Sequence, residues 1–251
     1  MSKPTPDSTA DTAPPLWHHH QLQLRTTLGA LALDIDLDLT HNWTVIFGPS
    51  GSGKSTILRA LAGLLPDANA RLTRQDDDRN AHDLTHTPPR DRRIAYAPQQ
   101  PSIFPHLTVA DNIAFAQRFS SRAASSQQTI DDAIKLFRLE DLLRRYPKNL
   151  SGGERQRVNL ARAFCVPDAQ LMLLDEPFAG IDRPLRDAIL PELRETLRLR
   201  GVPVVSVTHD VEEAFRLQAE VVILRDGRIV NQGHVSKVLA DERLSVLDAL
   251  H

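Results

Sequence analysis

The stretch GPSGSGKST, from Gly48 to Thr56, constrains this chain more than any other feature. It follows a short run, Trp43 to Phe47, that is apolar but for Thr44, and it precedes Ile57, Leu58, Leu61 and Leu64 at helical spacing. Strand, glycine loop and helix in that order is the context a phosphate-binding loop requires. The pattern G-x-x-x-x-G-K-[ST] runs from Gly48 to Ser55, and its glycines let backbone N–H groups turn inward onto phosphate oxygens. Gly48, Pro49, Ser50, Gly51, Ser52, Gly53, Lys54, Ser55 and Thr56 are therefore the candidate nucleotide contacts. Lys54 supplies a point charge at the outer phosphates and the Ser55 hydroxyl a ligand for magnesium. The following helix aims its positive end at the same anion.

With 251 residues the chain can form one large domain or two small ones around a substantial core. Its 30 Lys and Arg against 32 Asp and Glu leave no basic footprint for nucleic acid. A single Cys, Cys165, excludes a disulfide framework, suits a reducing compartment, and reads as core filler. No apolar run approaches the roughly 18 residues that cross a bilayer, and the N-terminus lacks a signal-peptide core. The expectation is a soluble cytosolic protein that reaches a membrane only through another chain.

Along the chain, residues 1–20 are expected to form a disordered tail, with His18, His19 and His20 solvated at its end. Leu31 to Leu39 alternates Leu31, Leu33, Ile35, Leu37 and Leu39 with Ala32, Asp34, Asp36 and Asp38, a half-buried strand. The Asp spacing fails as a calcium loop because Leu39 and Val45 stand where Gly and Glu are needed. Arg71 to Arg93 mixes charges of both signs and reads as solvated surface. Ile94 to Ala97, Gln170 to Leu174 and Val204 to Val207 read as strands, and residues 105–165 as helical. Within that region Thr108 with Asp111, Thr129 with Asp132 and Ser151 with Glu154 have the spacing of capping boxes. Leu185, Ile189, Leu193 and Leu197 mark a helix ended by Gly201 and kinked at Pro191, and Val221 to Val230 a hairpin around Asp226-Gly227.

Two further elements carry chemistry. Leu171 to Leu174 leads into Asp175-Glu176, which places two carboxylates at the carboxyl edge of a parallel sheet. There Asp175 would hold magnesium and Glu176 would orient and deprotonate an attacking water. In LSGGERQRV, Ser151 caps a helix and Glu154 completes the box. The Ser151 hydroxyl and the Gly152 and Gly153 N–H groups then form a second anion site at a helix N-terminus. A chain that already owns one triphosphate cradle points, with a second, to two copies facing each other.

Residues 21–235 resemble the nucleotide-binding subunit of an ATP-binding cassette (ABC) transporter, on the strength of LSGG between the two Walker motifs. The resemblance implies an α/β fold: a P-loop NTPase (RecA-like) core sheet, an N-terminal antiparallel β subdomain, an inserted helical signature subdomain over about 105–165, and a short helical extension over 236–251. Tyr96-Ala97-Pro98-Gln99 resembles the Q-loop, whose Gln99 touches magnesium and senses the transmembrane partner. Phe178 to Asp182 resembles the D-loop, with Asp182 at the dimer interface, and Thr208-His209-Asp210 the switch, with His209 at the γ-phosphate. The implied cofactors are ATP and Mg2+. The aromatic residue that usually stacks on adenine is missing from Leu22 to Leu28, which leaves Arg25 as a stacking plane or no stack at all, with Trp43 a core residue.

Ile103 to Val109 resembles importers that use a separate solute-binding protein, with Phe104 and Leu107 as docking anchors for a permease helix. Thr27-Leu28-Gly29, Val45 to Gly48, Pro89 to Arg93 and Ile189 to Leu193 resemble the molybdate branch, here without its C-terminal regulatory domain. The implied setting is peripheral, at the cytoplasmic face of the inner membrane. The partners are permease subunits, a second copy of the cassette and, indirectly, a solute-binding protein, with no nucleic acid. The alternatives are an importer ATPase for another solute and a soluble ABC ATPase of iron–sulfur cluster assembly.

Overall fold

The computed structural model describes residues 19–65, 69–76, 80–119 and 123–239. Its strands are β1 (His19–Leu28), β2 (Leu31–Leu39), β3 (Trp43–Phe47), β4 (Asn69–Gln75), β5 (Ala81–Asp83), β6 (Ile94–Ala97), β7 (Leu171–Asp175), β8 (Val204–Val207), β9 (Glu220–Arg225) and β10 (Arg228–His234). Its helices are α1 (Lys54–Ala62), α2 (Val109–Ala114), α3 (Ala123–Leu136), α4 (Gly152–Phe164), α5 (Arg183–Leu199) and α6 (Val211–Leu217). The strands join one sheet in the order β5-β4-β1-β2-β10-β9-β3-β8-β7-β6.

The two halves of this sheet differ in direction and in cover. Strands β9, β3, β8, β7 and β6 run parallel. On β3, Val45 and Phe47 pack with α4 and α5 residues such as Val158, Leu160, Ile189 and Leu193, while Ile46 packs on the other face with Ile57, Leu58 and Leu61 of α1. Both faces are covered, which is why these strands read as unbroken apolar runs. The other half is antiparallel, β1 pairing with β2 and β4, and β4 with β5. Here only one face is covered, so β2 alternates, with Leu33, Ile35, Leu37 and Leu39 buried. The Asp residues between them lie on the open face, where Arg25 pairs with Asp34 and Asp36. The α/β fold expected from sequence, with its antiparallel β subdomain and inserted helices, is the fold observed.

The hairpin between β9 and β10 joins the halves. Asp226 and Gly227 have φ of 47° and 74°, the left-handed pair that a tight hairpin turn needs. A Cβ on Gly227 would lie 1.9 Å from the Ala32 carbonyl oxygen, so β2 crosses this turn only because it is glycine.

Several sequence readings need correction. Strand β1 begins at His19, and His20 is buried in line with Leu22 and Leu24, so these two histidines are not tail; residues 1–18 lie outside the described set. In the charged stretch from Arg71 to Arg93, which holds most of β4 and all of β5, Arg71, Asp83, Arg90, Asp91 and Arg93 are exposed as expected, but Arg92 is only 7% exposed. Its guanidinium bonds to carbonyls at the end of α1 rather than to solvent. Thr129 lies inside α3 rather than at its start, whereas Thr108 and Ser151 do cap α2 and α4. Helix α5 continues through Pro191 to Leu199, and Gly201 follows with φ of 66°. Of the extension expected over 236–251, residues 236–239 are helical and the rest lies outside the described set.

Candidate functional site

Parallel strands deliver four loops to one edge. Gly48 follows β3, Pro98-Gln99 follows β6, Asp175-Glu176 closes β7, and Thr208-His209 follows β8. A cavity of about 360 Å³ at this edge is lined by Ser50, Gly51, Gly53, Lys54, Ser55 and Thr56 of the glycine loop, by Gln99, Asp175, Glu176 and Val207, and by Leu28 and Leu31 of the first hairpin. The phosphate loop, Asp175 and Glu176 at the end of β7, and Gln99, which only the resemblance singled out, are thus brought together.

The loop itself is shaped by close approach. A Cβ on Gly48 would stand 2.2 Å from the Leu224 carbonyl oxygen of β9. Gly53, at φ 101°, is the N-cap of α1, and a Cβ there would stand 2.5 Å from the Leu33 side chain. Ser52 N–H donates to the Pro49 carbonyl at 3.2 Å, closing the turn. The Lys54 ammonium donates to the Gly48 and Pro49 carbonyls at 2.8 and 2.9 Å, a position from which a phosphate oxygen can draw it.

Asp175 is 3% exposed. Burial pushes its carboxyl above the ordinary range; the Ser55 hydroxyl bonded to it pulls the other way, and the charge of Glu176 adds to the rise. Its Oδ1 is buried without a hydrogen-bond partner. An orphaned carboxylate oxygen beside a hydroxyl, in a phosphate cradle, fits a hard divalent cation such as Mg2+. Among the described residues no group of three or more His, Cys, Asp or Glu could hold a metal ion.

Glu176 adopts φ 49°, a left-handed conformation that costs a non-glycine residue about 1–2 kcal/mol. Its N–H donates to Val207 O at 2.9 Å, and Gln156 Nε2 of α4 donates to its carbonyl at 3.1 Å. Its Oε2 lies 2.9 Å from Nδ1 of His209. The hydrogen bond that His209 donates to Glu176, with that carboxylate's negative charge, raises the His209 imidazole above its ordinary range. The base candidate and the switch candidate are a contacting pair, which spacing alone does not reveal.

The signature residues do not line this cavity. Ser151 caps α4 by accepting from Glu154 N–H at 3.2 Å, while Glu154 Oε2 accepts from Ser151 N–H at 2.6 Å. That backbone bond holds the Glu154 carboxyl below its ordinary range. Gly153 abuts the D-loop: a Cβ there would stand 2.4 Å from Gly180 O, whereas one on Gly152 would meet nothing within 4 Å. Asp182 is the N-cap of α5, accepting from Leu185 N–H at 3.0 Å.

The Arg25 guanidinium is paired at its edges with Asp34, Asp36 and the Ile35 carbonyl, and Arg25 is not among the residues lining the cavity. Trp43 is a core residue whose Nε1 donates to Ser206 Oγ. Sequence reasoning missed Leu28 and Leu31, the hairpin residues that reach the cavity, and Gln156. For Gln156 a signal existed, since Gln156, Asn159, Leu160 and Ala163 share the buried stripe of α4.

A family model described as ABC transporter matches residues 33–179. The chain is 38% identical over 225 residues to the molybdate/tungstate import ATP-binding protein WtpC of Archaeoglobus fulgidus, covering 89% of this chain and 90% of that one. It is 44% identical over 195 residues to the Fe(3+) ions import ATP-binding protein FbpC of Pseudomonas fluorescens, covering 76% of this chain and 54% of that one. Relatives named for molybdenum, spermidine/putrescine and sulfate/thiosulfate import match at 39% to 40% identity, and the chain spans 54% to 60% of their length. The dimeric structure of a bacterial ABC transporter cassette superposes with a TM-score of 0.73 at 26% identity, covering 86% of this chain and 98% of that one. The chain belongs to the ABC transporter family. Within it, the chain is an ATPase of the importer kind.

Proposed function

We propose that this chain hydrolyses ATP to drive import of molybdate or a similar oxyanion, as one of two identical cassettes beneath separate permease subunits. One observation carries the composite arrangement. Ser151 and Gly152 stand exposed at the N-terminus of α4, outside the cavity that their own Lys54, Ser55, Gln99, Asp175 and Glu176 line. A second cassette can present that surface to the nucleotide, with Asp182 beside the contact.

In this reading Lys54 and the loop N–H groups hold the β- and γ-phosphates, and Ser55, Gln99 and Asp175 hold Mg2+. The ion, when bound, neutralises charge on the phosphate oxygens. Glu176 accepts a proton from water as the water oxygen bonds to the γ-phosphorus; the bond to the bridging oxygen breaks and ADP leaves with that electron pair. His209, whose Nδ1 lies 2.9 Å from Glu176 Oε2, sits at the γ-phosphate. Closure of two cassettes around nucleotide supplies the differential affinity that moves a permease, and hydrolysis reopens the pair.

A groove of about 460 Å³ between Tyr96, Pro98 and Ser102 on one side and Phe115, Ala116 and Arg162 on the other suits a short permease helix. It adjoins Phe104, whose ring packs 4.3 Å from that of Phe115. Among the described residues no helix is long and apolar enough to cross a membrane, so attachment to the cytoplasmic face of the inner membrane runs through the permease. The oxyanion is supported by the molybdate-like stretches and the molybdate/tungstate relative. Replacing Glu176 by Gln should lower turnover by about 10²–10⁴ with ATP binding intact. Near-normal turnover would refute its role as base, and molybdate uptake undiminished in a strain lacking this chain would refute the cargo.

A further inference from the structure

We propose that Gln156 is a positioning residue that ties the state of the signature helix to the carboxylate of Glu176. The inference rests on the reading of Glu176 as the base. Gln156 lies on α4, in the second turn after Ser151, and is 2% exposed. Its Nε2 donates to two successive carbonyls, Glu176 O and Pro177 O, each at 3.1 Å. These carbonyls belong to the segment that carries Glu176 in its left-handed conformation. From the other side, Glu176 N–H is fixed to Val207 O of β8. The main chain of Glu176 is therefore pinned between β8, which leads to His209, and α4, which begins at the signature serine.

Two further observations favour a role beyond filling space. The Gln156 Oε1 atom is buried without a hydrogen-bond partner, a cost that methionine or leucine of similar volume would avoid. Three residues on and on the same helix face, Asn159 Nδ2 donates to Pro98 O at 3.0 Å, beside Gln99. One rigid helix thus grips the backbone at both loops that bracket the reacting phosphate. A displacement of α4 when a partner's nucleotide engages Ser151 reaches Glu176 through Gln156, and small misplacements of a base are costly in rate.

The test is a double-mutant cycle on the full chain: Gln156→Met, Glu176→Gln and both together, each assayed for kcat, KM for ATP, ATP affinity and thermal unfolding. Gln156→Met should lower kcat by about 10–100-fold with KM for ATP changed by less than about twofold. In the Glu176→Gln background it should change residual turnover by less than about twofold, because the grip acts through that carboxylate. Equal losses in both backgrounds, a fall in ATP affinity matching the fall in kcat, or wild-type turnover would each overturn the proposal. Near-normal turnover of Glu176→Gln alone would instead overturn the base assignment, and this inference with it. Should the methionine variant fail to unfold cooperatively, Gln156→Leu, which is of similar volume and likewise lacks the N–H donors, gives the same readings.

Discussion

Replacing Arg92 by methionine should destabilise the fold by about 3–5 kcal/mol, although Arg92 lies outside the nucleotide cavity. Its Nε donates to Thr87 O at 2.8 Å, its Nη1 to Ala60 O and Leu61 O at 3.1 and 2.9 Å, and its Nη2 to Thr85 O at 3.0 Å. Ala60 and Leu61 lie in the last turn of α1, where carbonyls lack helical partners and the helix dipole is negative. Ala60 O keeps a second donor, Gly63 N–H. The variant thus leaves Leu61, Thr85 and Thr87 carbonyls short of a partner, each costing about 1–3 kcal/mol. Part is returned because methionine avoids burying a cation, a burial that already pulls the Arg92 guanidinium below its ordinary range. Lysine should restore little, since one ammonium cannot reach both arms of the fork. Urea unfolding of wild type, Arg92→Met and Arg92→Lys measures the loss. A loss below about 1 kcal/mol, or full rescue by lysine, would refute the reasoning.

Two other outcomes follow from the same structure. Glu213, 5% exposed, is pushed up to about 7 by burial, against an ordinary value of 4.5. A carboxyl raised on folding stabilises the fold fully below about 4.5 and loses that contribution as pH rises through about 7, so wild type minus Glu213→Gln should drift by at most about 3 kcal/mol between these limits. Parallel stability curves from pH 5 to 8 would contradict this. Leu28, 42% exposed and lining the nucleotide cavity, is the side chain best placed to meet a base. Leu28→Tyr should tighten both ATP and GTP by about fivefold or more, since every base offers a π-face; unchanged affinities would place the base elsewhere.

What could be read from sequence was what neighbours along the chain decide. The glycine loop, β2, β3 and β8 are local patterns, and the structure reproduces them to the residue. Arg92 was illegible because its partners are carbonyls on α1 and on the segment after β5, and nothing beside it in sequence distinguishes a buried fork from the solvated arginines around it. His20 was illegible for a similar reason: its inward place is set by pairing with Leu39 and Arg74, not by its own chemistry. Thr129 misled because a Thr and an Asp three apart also occur inside a helix, and here α3 begins six residues earlier. The contact between Glu176 and His209 depends on β7 lying beside β8, an order that pairing, not sequence position, decides.

In the composite site proposed above, the capping box at Ser151 accounts for a signature that would work only with a neighbour. Glu154 N–H is taken by the Ser151 hydroxyl, and Glu154 returns its carboxylate to Ser151 N–H. Helix geometry leaves the Gly152 and Gly153 N–H groups without partners inside α4, and no side chain screens the open face at Gly152. Those donors favour an anion, but the Glu154 carboxylate sits among them and opposes one. A free phosphate would therefore gain little at this terminus. A γ-phosphate already clamped by another chain's Lys54 arrives at high effective concentration and needs only a weak second contact. Under the proposed function, the conflict at α4 makes the surface weak alone and useful only against a nucleotide held by the other cassette, so that ATP rather than protein contact would decide when the two close.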